Sequence, residues 1–410
     1  MDEQPVNGCW TDEKVVAALA SVEQAACRIA AGKPVIVVDD RNRENEGDLV
    51  YAAEAATPEL VGFTMRHTAG VICVPMLGDE LERLDLPQMR VANEDAKGTA
   101  FAISVDARAG ITTGISGADR ARTIRLLADP ATSRSDLTRP GHVFPLRAQP
   151  GGVLARAGHT EAAVDLVRLA GLRPVGVISE IVNDDGTMAR LPDLMTFSER
   201  HQIPIVSIAD LIAWRLRHER QVLRGAEVTM PTRTGEFRAV GFSNPLDDSE
   251  DVTLVKGDIG DGEDVLVSLH FECLTGNVFH SARCDCGVQL DAAIDAIELA
   301  GRGVLVYMRA RGECETGLLA ELQALAEHTH IGTAHGSRKL GLPETRSYGL
   351  AAQMLIELGV KSVRLERNCS STRARLDGYG LRILDTEPAV SASTIRSPRP
   401  RTTRDLVPSL

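Results

Sequence analysis

The run Pro34-Val35-Ile36-Val37-Val38 opens directly onto Asp39-Asp40-Arg41-Asn42-Arg43-Glu44-Asn45-Glu46-Gly47-Asp48, a stretch with five carboxylates and two guanidinium groups. A short, β-branched apolar run of this kind reads as a buried strand. The charges that follow cannot share its burial, so they form a loop that the strand end can hold rigidly. The surrounding text repeats the alternation of strand and helix. Val16, Leu19, Val22, Ala26 and Ile29 recur at helical spacing, which predicts a helix capped at Thr11-Asp12-Glu13, running through Ala30 and stopped by Gly32. Pro58 to Thr68 reads as helix, Val71 to Pro75 as strand, Thr160 to Ala170 as helix before Gly171, and Val175 to Ile178 as strand again. The pattern implies an α/β (α+β) fold.

A chain of 410 residues, 43% hydrophobic and 25% charged, exceeds what one core usually supports and is expected to divide into two domains, each a mixed sheet with packed helices. The stretch from Ile208 ends in the charged run Arg215-Leu216-Arg217-His218-Glu219-Arg220, and Val228 to Phe242 then alternates like strands around Thr234-Gly235. The boundary is therefore expected near residue 224, giving domains over 1–224 and 225–390. The second half adds an expected helix over Leu290 to Leu299 before Gly301, a strand over Val304 to Tyr307, and a helix from about Leu350 to Leu358 before Gly359. The tail over 391–410, rich in Ser, Thr, Arg and Pro, is expected to be flexible.

A formal charge of −12 argues against a general grip on nucleic acid and points to a metabolite as partner. The chain shows neither a secretory leader nor an apolar stretch of membrane-spanning length, so a cytoplasmic protein with no membrane partner is expected. Of its eight cysteines, Cys9, Cys27 and Cys73 are scattered while Cys273, Cys284 and Cys286 cluster. In a cytosolic chain such a cluster suggests metal before disulfide.

Standing alone, the loop Asp39 to Asp48 is most simply a solvated charged turn. It is accompanied by Arg139-Pro140-Gly141-His142, Arg156-Ala157-Gly158-His159-Thr160-Glu161 and Ser179-Glu180-Ile181, which add histidines, arginines and further carboxylates. His159 and Thr160 open an expected helix, whose free backbone N–H groups favour a phosphate. A hard cation and a polyhydroxylated anion suit this equipment. These blocks, with Arg66-His67-Thr68, Gly98-Thr99-Ala100-Phe101, Thr112-Thr113-Gly114-Ile115-Ser116 and Asn183-Asp184-Asp185-Gly186-Thr187-Met188, resemble dihydroxybutanone phosphate synthase from about Gly32 to Arg215. The resemblance implies conversion of ribulose 5-phosphate into a four-carbon riboflavin precursor and formate by a homodimer. It implies that Glu44 and His159 ligate Mg2+ (or Mn2+). Arg43 and Asp48 would contact substrate, and Arg156, Ala157, Gly158, His159 and Thr160 would surround substrate and phosphate. His142 and Glu180 would be catalytic, Glu180 also touching substrate. Ser179 stands where the family often has Cys, a small-for-small exchange.

In the second half, Cys273-x10-Cys284-x-Cys286 offers three soft ligands with the spacing of a zinc site that leaves a position for water. A structural zinc or plain core cysteines are the alternatives. The run His270-Phe271-Glu272-Cys273-Leu274-Thr275-Gly276 through Arg283-Cys284-Asp285-Cys286-Gly287-Val288-Gln289-Leu290 resembles GTP cyclohydrolase II over about Val228 to Pro388. The resemblance implies Zn2+, a nucleotide contacted by Glu272, Gln289 and Glu344, and Arg346 as the catalytic arginine, with Glu344 replacing the usual aspartate.

Other positions depart from that family. Ser268-Leu269-His270-Phe271-Glu272 stands where the family has Arg-Val-His-Ser-Glu, Gly312-Glu313-Cys314 replaces Glu-Gly-Arg, Leu325 replaces a catalytic tyrosine, and Arg367-Asn368-Cys369-Ser370-Ser371 replaces Thr-Asn-Asn-Pro. Removing charge-assisted hydrogen bonds weakens a phosphate site. The expectation is a zinc-binding domain impaired in GTP turnover. The alternatives are a fully bifunctional enzyme that recruits Arg311, Arg367 or Arg373, or a module for another nucleotide or for assembly.

Overall fold

The computed structural model describes residues 19–41, 43–90, 92–95, 97–309, 322, 344–365, 376 and 379–384. The strands of the first half are β1 (Val35–Val38), β2 (Gly47–Ala52), β3 (Cys73–Met76), β4 (Val105–Ala107), β5 (Leu137–Arg147), β6 (Gly176–Glu180) and β7 (Ile205–Ser207). They form one mixed sheet in the order β4-β5-β3-β6-β2-β1-β7. β1 and β2 are buried along their whole length, as the β-branched run of β1 requires, and β2 carries Asp48 into that burial. Val38 pairs with Gly47, so β1 and β2 are an antiparallel hairpin whose connection is the acidic loop. On the other side of β2, Asp48 pairs with Glu180 of β6.

The helix expected from Thr11 is shorter than its apolar spacing suggests. It spans Val22–Ala30, begun by a capping box in which Ser21 accepts from the Gln24 N–H and Gln24 accepts from the Ser21 N–H. Leu19 instead bridges to Ile205 at the sheet edge, and Ala20 donates to the Ile205 carbonyl at 2.7 Å. The Thr11 cap and Val16 lie outside the described residues. The expected helices form over Pro58–His67 and His159–Leu169, a helix over Ile208–His218 takes in the start of the charged run from Arg215, and β3 starts two residues later than expected.

The second half contains β8 (Leu223–Pro231), β9 (Glu236–Asn244), β10 (Ser249–Lys256), β11 (Val265–Phe271), β12 (Gly303–Met308), β13 (Ser362–Leu365) and β14 (Arg382–Leu384). Their order is β14-β13-β11-β12-β10-β9-β8, again a mixed seven-stranded sheet. Helix Cys286–Ala300 ends at Gly301 in the left-handed conformation, where glycine has no steric cost. The 391–410 tail lies outside the described residues.

The two sheets share one apolar cluster, which runs from Val35 and Val37 through Leu211, Ile212 and Leu216 to Leu350, Ala351 and Leu355. Helix Ile208–His218 of the first half packs there on helix Glu344–Glu357 of the second. Gln353 fastens the junction by donating to the carbonyls of Leu216 (2.6 Å) and Glu219 (2.9 Å). Beneath it, buried Asp165 accepts from buried Arg215 at 2.8 Å, tying the helix that begins with His159 to the same junction. Among the described residues no helix is long and apolar enough to cross a membrane.

Candidate functional site

Asp39 organises the acidic loop. It is buried at the end of β1, and its carboxylate accepts the backbone N–H groups of Glu44 and Glu46, both at 2.8 Å, and the Arg43 guanidinium at 3.2 Å. Asn45 takes a φ of 55°, which turns the chain between those two contacts. From outside, Arg190 donates to the carbonyls of Glu44 (2.9 Å) and Asn45. The loop is thus pinned from both sides, and Glu44 faces the first residue of helix His159–Leu169.

His159 is buried, with Nε2 lying 3.2 Å from the Val37 carbonyl and Nδ1 3.6 Å from a Glu44 oxygen. With Nε2–H donating to that carbonyl, Nδ1 is left facing Glu44, the arrangement a metal-ligating histidine needs, while Asp48 lies 3.9 Å from Nε2. Burial works against the imidazolium, yet Asp48, Glu44 and Asp39 outweigh it and push His159 up to about 9. Burial also works to raise Glu44, but the hydrogen bond to His159 and the Arg43 charge hold it down at about 2. The ligand atoms of Asp39, Glu44 and His159 all lie within 4.8 Å of one another. A buried Asp48 oxygen beside them has no hydrogen-bond partner among the described residues, and burial, opposed by His159 but reinforced by Glu180, Glu44 and Glu46, pushes Asp48 up to about 7. Excess carboxylate around one histidine, with an orphaned acceptor alongside, fits a divalent cation.

These groups line one cavity. Arg43, Glu44, Asp48, Arg156, His159, Thr160 and Glu180 are all on its wall. Ala157 and Gly158 serve as backbone: Gly158 caps the helix, and a Cβ there would strike Arg156 and Glu161. Arg156 is held by Glu161 at 2.7 Å and reaches the Lys97 carbonyl at 3.0 Å. His142 is the exception. It is not among the residues that line the cavity, although the register Phe144–Cys73–Ile178 sets it level with Glu180 two strands away. His142 and Glu180 therefore do not meet within this chain's cavity.

Four residues on the wall or around it carry roles that their sequence context does not assign. Asp39 and Glu46 lie inside the acidic loop, and Thr99 lies in the Gly98 to Phe101 motif, so only their orientation was missing. Arg190 lies two residues past the Asn183 to Met188 motif and is recognisable only through its contact with the loop.

In the second half, Cys273 precedes the short helix Leu274–Asn277 and Cys286 begins helix Cys286–Ala300. This brings Cys273 Sγ to 3.8 Å from Cys284 Sγ, and the three sulfurs lie within 4.8 Å of one another. Gly276 rests against them, and a Cβ there would strike Cys284 Sγ and the Cys286 Cβ. The Cys273 hydrogen bond, burial and the neighbouring thiols push Cys286 well above the ordinary thiol range. A soft cation reverses that penalty by pairing with the thiolates. The Glu272 N–H donates to the Met308 carbonyl, and Gln289 donates to Asp285 at 2.8 Å. Arg346 is buried and donates to Asp247 at 2.8 Å. The Glu344 side chain, Arg311, Gly312 to Cys314, Leu325, Arg367 to Ser371 and Arg373 lie outside the described residues.

The model of 3,4-dihydroxy-2-butanone 4-phosphate synthase matches residues 23–214, and that of GTP cyclohydrolase II matches residues 223–388. The riboflavin biosynthesis protein RibBA of Nocardia farcinica is 55% identical over 397 residues, covering 94% of this chain and 96% of the relative. RibBA of Salinispora arenicola is 57% identical over 365 residues, covering 88% and 87%. The chain belongs to the RibBA family of riboflavin biosynthesis proteins.

As a RibBA family member it is a riboflavin biosynthesis enzyme with a synthase domain and a cyclohydrolase II domain. A solved structure of RibBX, described as a two-domain 3,4-dihydroxy-2-butanone 4-phosphate synthase from A. baumannii, superposes with a TM-score of 0.72 at 34% identity, covering 89% of this chain and all of that one. The cavity of the synthase domain and the cysteine cluster of the cyclohydrolase II domain stand on separate sheets.

Proposed function

We propose that the N-terminal half, taken as residues 1–224, converts D-ribulose 5-phosphate to 3,4-dihydroxy-2-butanone 4-phosphate and formate with Mg2+ or Mn2+ at Glu44 and His159. The observation that carries this reading is the grouping of Asp39, Glu44 and His159 within 4.8 Å beside a cavity lined by both cations and carboxylates. When bound, the metal supplies positive charge for the oxygen of an enediolate. The protein does the rest. Arg156 and the first turn of helix His159–Leu169 receive the phosphate, and Arg43 and Asp48 orient the hydroxyl groups. Glu180, at the cavity wall, exchanges protons with the carbon skeleton.

His142 acts in this reading from a second copy in a homodimer, since its side chain is 41% exposed and is not on the wall of its own chain's cavity. The test is turnover of ribulose 5-phosphate after exhaustive chelation, followed by formate release. Loss of turnover and its return with Mg2+ or Mn2+ support the reading; full turnover in excess chelator overturns the metal assignment.

The C-terminal half, residues 225–390, holds Zn2+ through Cys273, Cys284 and Cys286 and is impaired in GTP turnover. Support comes from Arg346, whose buried guanidinium is committed to Asp247, and from Phe271, which packs edge-on against Tyr348 with ring centroids 5.9 Å apart. RibBX, similar over both domains, is described as a synthase. The bifunctional alternative rests on the cyclohydrolase II match and the intact cysteine cluster.

A further inference from the structure

Across from β4 the pairing of β5 slips: Val105 pairs with Val143, but Asp106 pairs with Thr138, so Arg139 to His142 bow outward opposite Asp106. Gly141 permits the bow, since a Cβ there would collide with the backbone of Val105 and Asp106. The Asp106 carboxylate clasps what bows out. One oxygen accepts the His142 backbone N–H at 2.9 Å and the other lies 2.7 Å from His142 Nδ1. The carboxylate side chain is 9% exposed whereas the histidine side chain is 41% exposed, so the pair is anchored at its acidic end and open at the imidazole.

A second layer holds this pair. Asp119, under the Ser116 cap of helix Gly117–Ala128, accepts from the Thr112 N–H (3.0 Å), the Thr112 hydroxyl (2.6 Å) and the Gly114 N–H (3.2 Å). That fixes Gly114 at a φ of 92°, directly over the clasp, where any Cβ would collide with both the Asp106 carboxylate and His142 Nδ1. The Thr112 to Ser116 motif thus has a use: it covers a histidine–carboxylate pair.

We infer that Asp106 is the positioning residue of His142, holding the imidazole with its proton on Nδ1 and its basic lone pair on Nε2, and that Gly114 closes over the pair. An ionised carboxylate only accepts hydrogen bonds, so the ring nitrogen facing it must be the donor. Nε2 is then left as the group that can take a proton. The inference rests on the reading of His142 as an acid–base group.

The test uses the full-length protein with Mg2+ and three variants. In Asp106→Asn the amide presents a donor to Nδ1, which moves the proton to Nε2 and removes the outward lone pair. Turnover of ribulose 5-phosphate should fall by about a hundredfold or more while KM stays within a few-fold. Long-range 1H–15N spectra of the histidines should show the His142 tautomer exchanged. Gly114→Ala, which keeps both side chains but crowds them apart, should lower kcat and disturb the same signal, with the melting temperature of each variant as a check on folding. His142→Gln separates the two ideas. If His142→Gln retains full turnover, the acid–base reading of His142 fails. If it is inactive while Asp106→Asn and Gly114→Ala keep normal kcat and an unchanged tautomer, the positioning role of Asp106 is overturned.

Discussion

Asp48 on β2 and Glu180 on β6 are direct partners across an antiparallel pair, so their side chains leave the sheet on the same face and both reach the cavity. Burial raises the cost of ionising Asp48, and the Glu180 charge on the adjacent strand adds to it. Glu180→Gln keeps the shape and removes the exchangeable proton. Substrate binding should remain measurable by calorimetry, while turnover falls by about a hundredfold or more. Near-normal turnover would remove Glu180 from the chemistry.

The loop over the His142–Asp106 pair should lose stability at the acid end of the pH range. Hydrogen bonds from the Thr112 hydroxyl and backbone, with Ser116 and Gly114, hold Asp119 down at about 2. A carboxylate depressed in the folded state contributes stability that is fully present above the ordinary aspartate range, near about 3.9, and is lost as pH falls through the folded value. Asp119→Asn should therefore melt below the parent at pH 6, and the gap should close as the pH approaches 2. A gap that stays constant down to that pH would show that the charge of Asp119 contributes nothing.

The cysteine cluster makes a prediction independent of catalysis. About one zinc per chain should copurify, and replacing Cys284 and Cys286 together by Ser should abolish it and lower the melting temperature, since the bound metal contributes to folding. Metal analysis beside calorimetry checks both halves of the statement. A metal-free preparation with undiminished stability would leave the three thiols as packing residues.

The acidic loop is legible in the sequence because a β-branched run followed by clustered charges leaves few options: the run is buried and the charges sit at its end. Orientation within the loop is not legible. Asp39 reads like its neighbours, yet it points inward and receives two backbone N–H groups. The first helix reads as starting too early because Leu19 continues the apolar spacing of Val22 and Ala26 while serving a bridge to Ile205. β5 is hidden because Pro140, Gly141 and Pro145 speak against a strand; the slipped pairing with β4 makes room for Pro140 and Gly141, while Pro145 sits in register opposite Val74 of β3. That same slip sets His142 against Asp106, a pairing that motif order along the chain does not reveal.

The cyclohydrolase II half provides the last prediction, that purified protein with active synthase makes little or no pyrimidine product from GTP. Leu325 offers no phenol to donate a proton and Cys314 no guanidinium to hold a phosphate. The arginine that does match the family does not compensate, because Arg346 is buried and its guanidinium pairs with Asp247 at 2.8 Å. Drawing it toward a triphosphate would strip a carboxylate of this partner, and a hydrogen bond to a charged group is worth about 1.5–3 kcal/mol. A site that must both grip a triphosphate and protonate an opening ring loses transition-state stabilisation on both counts. The assay supplies zinc, keeps the cysteines reduced and runs beside an intact cyclohydrolase II, reading formate and the pyrimidine chromophore. Asp247→Asn is the informative variant: if Arg346 is merely sequestered, releasing it should raise GTP turnover above that of the parent. Parent turnover equal to the control would establish the bifunctional enzyme instead.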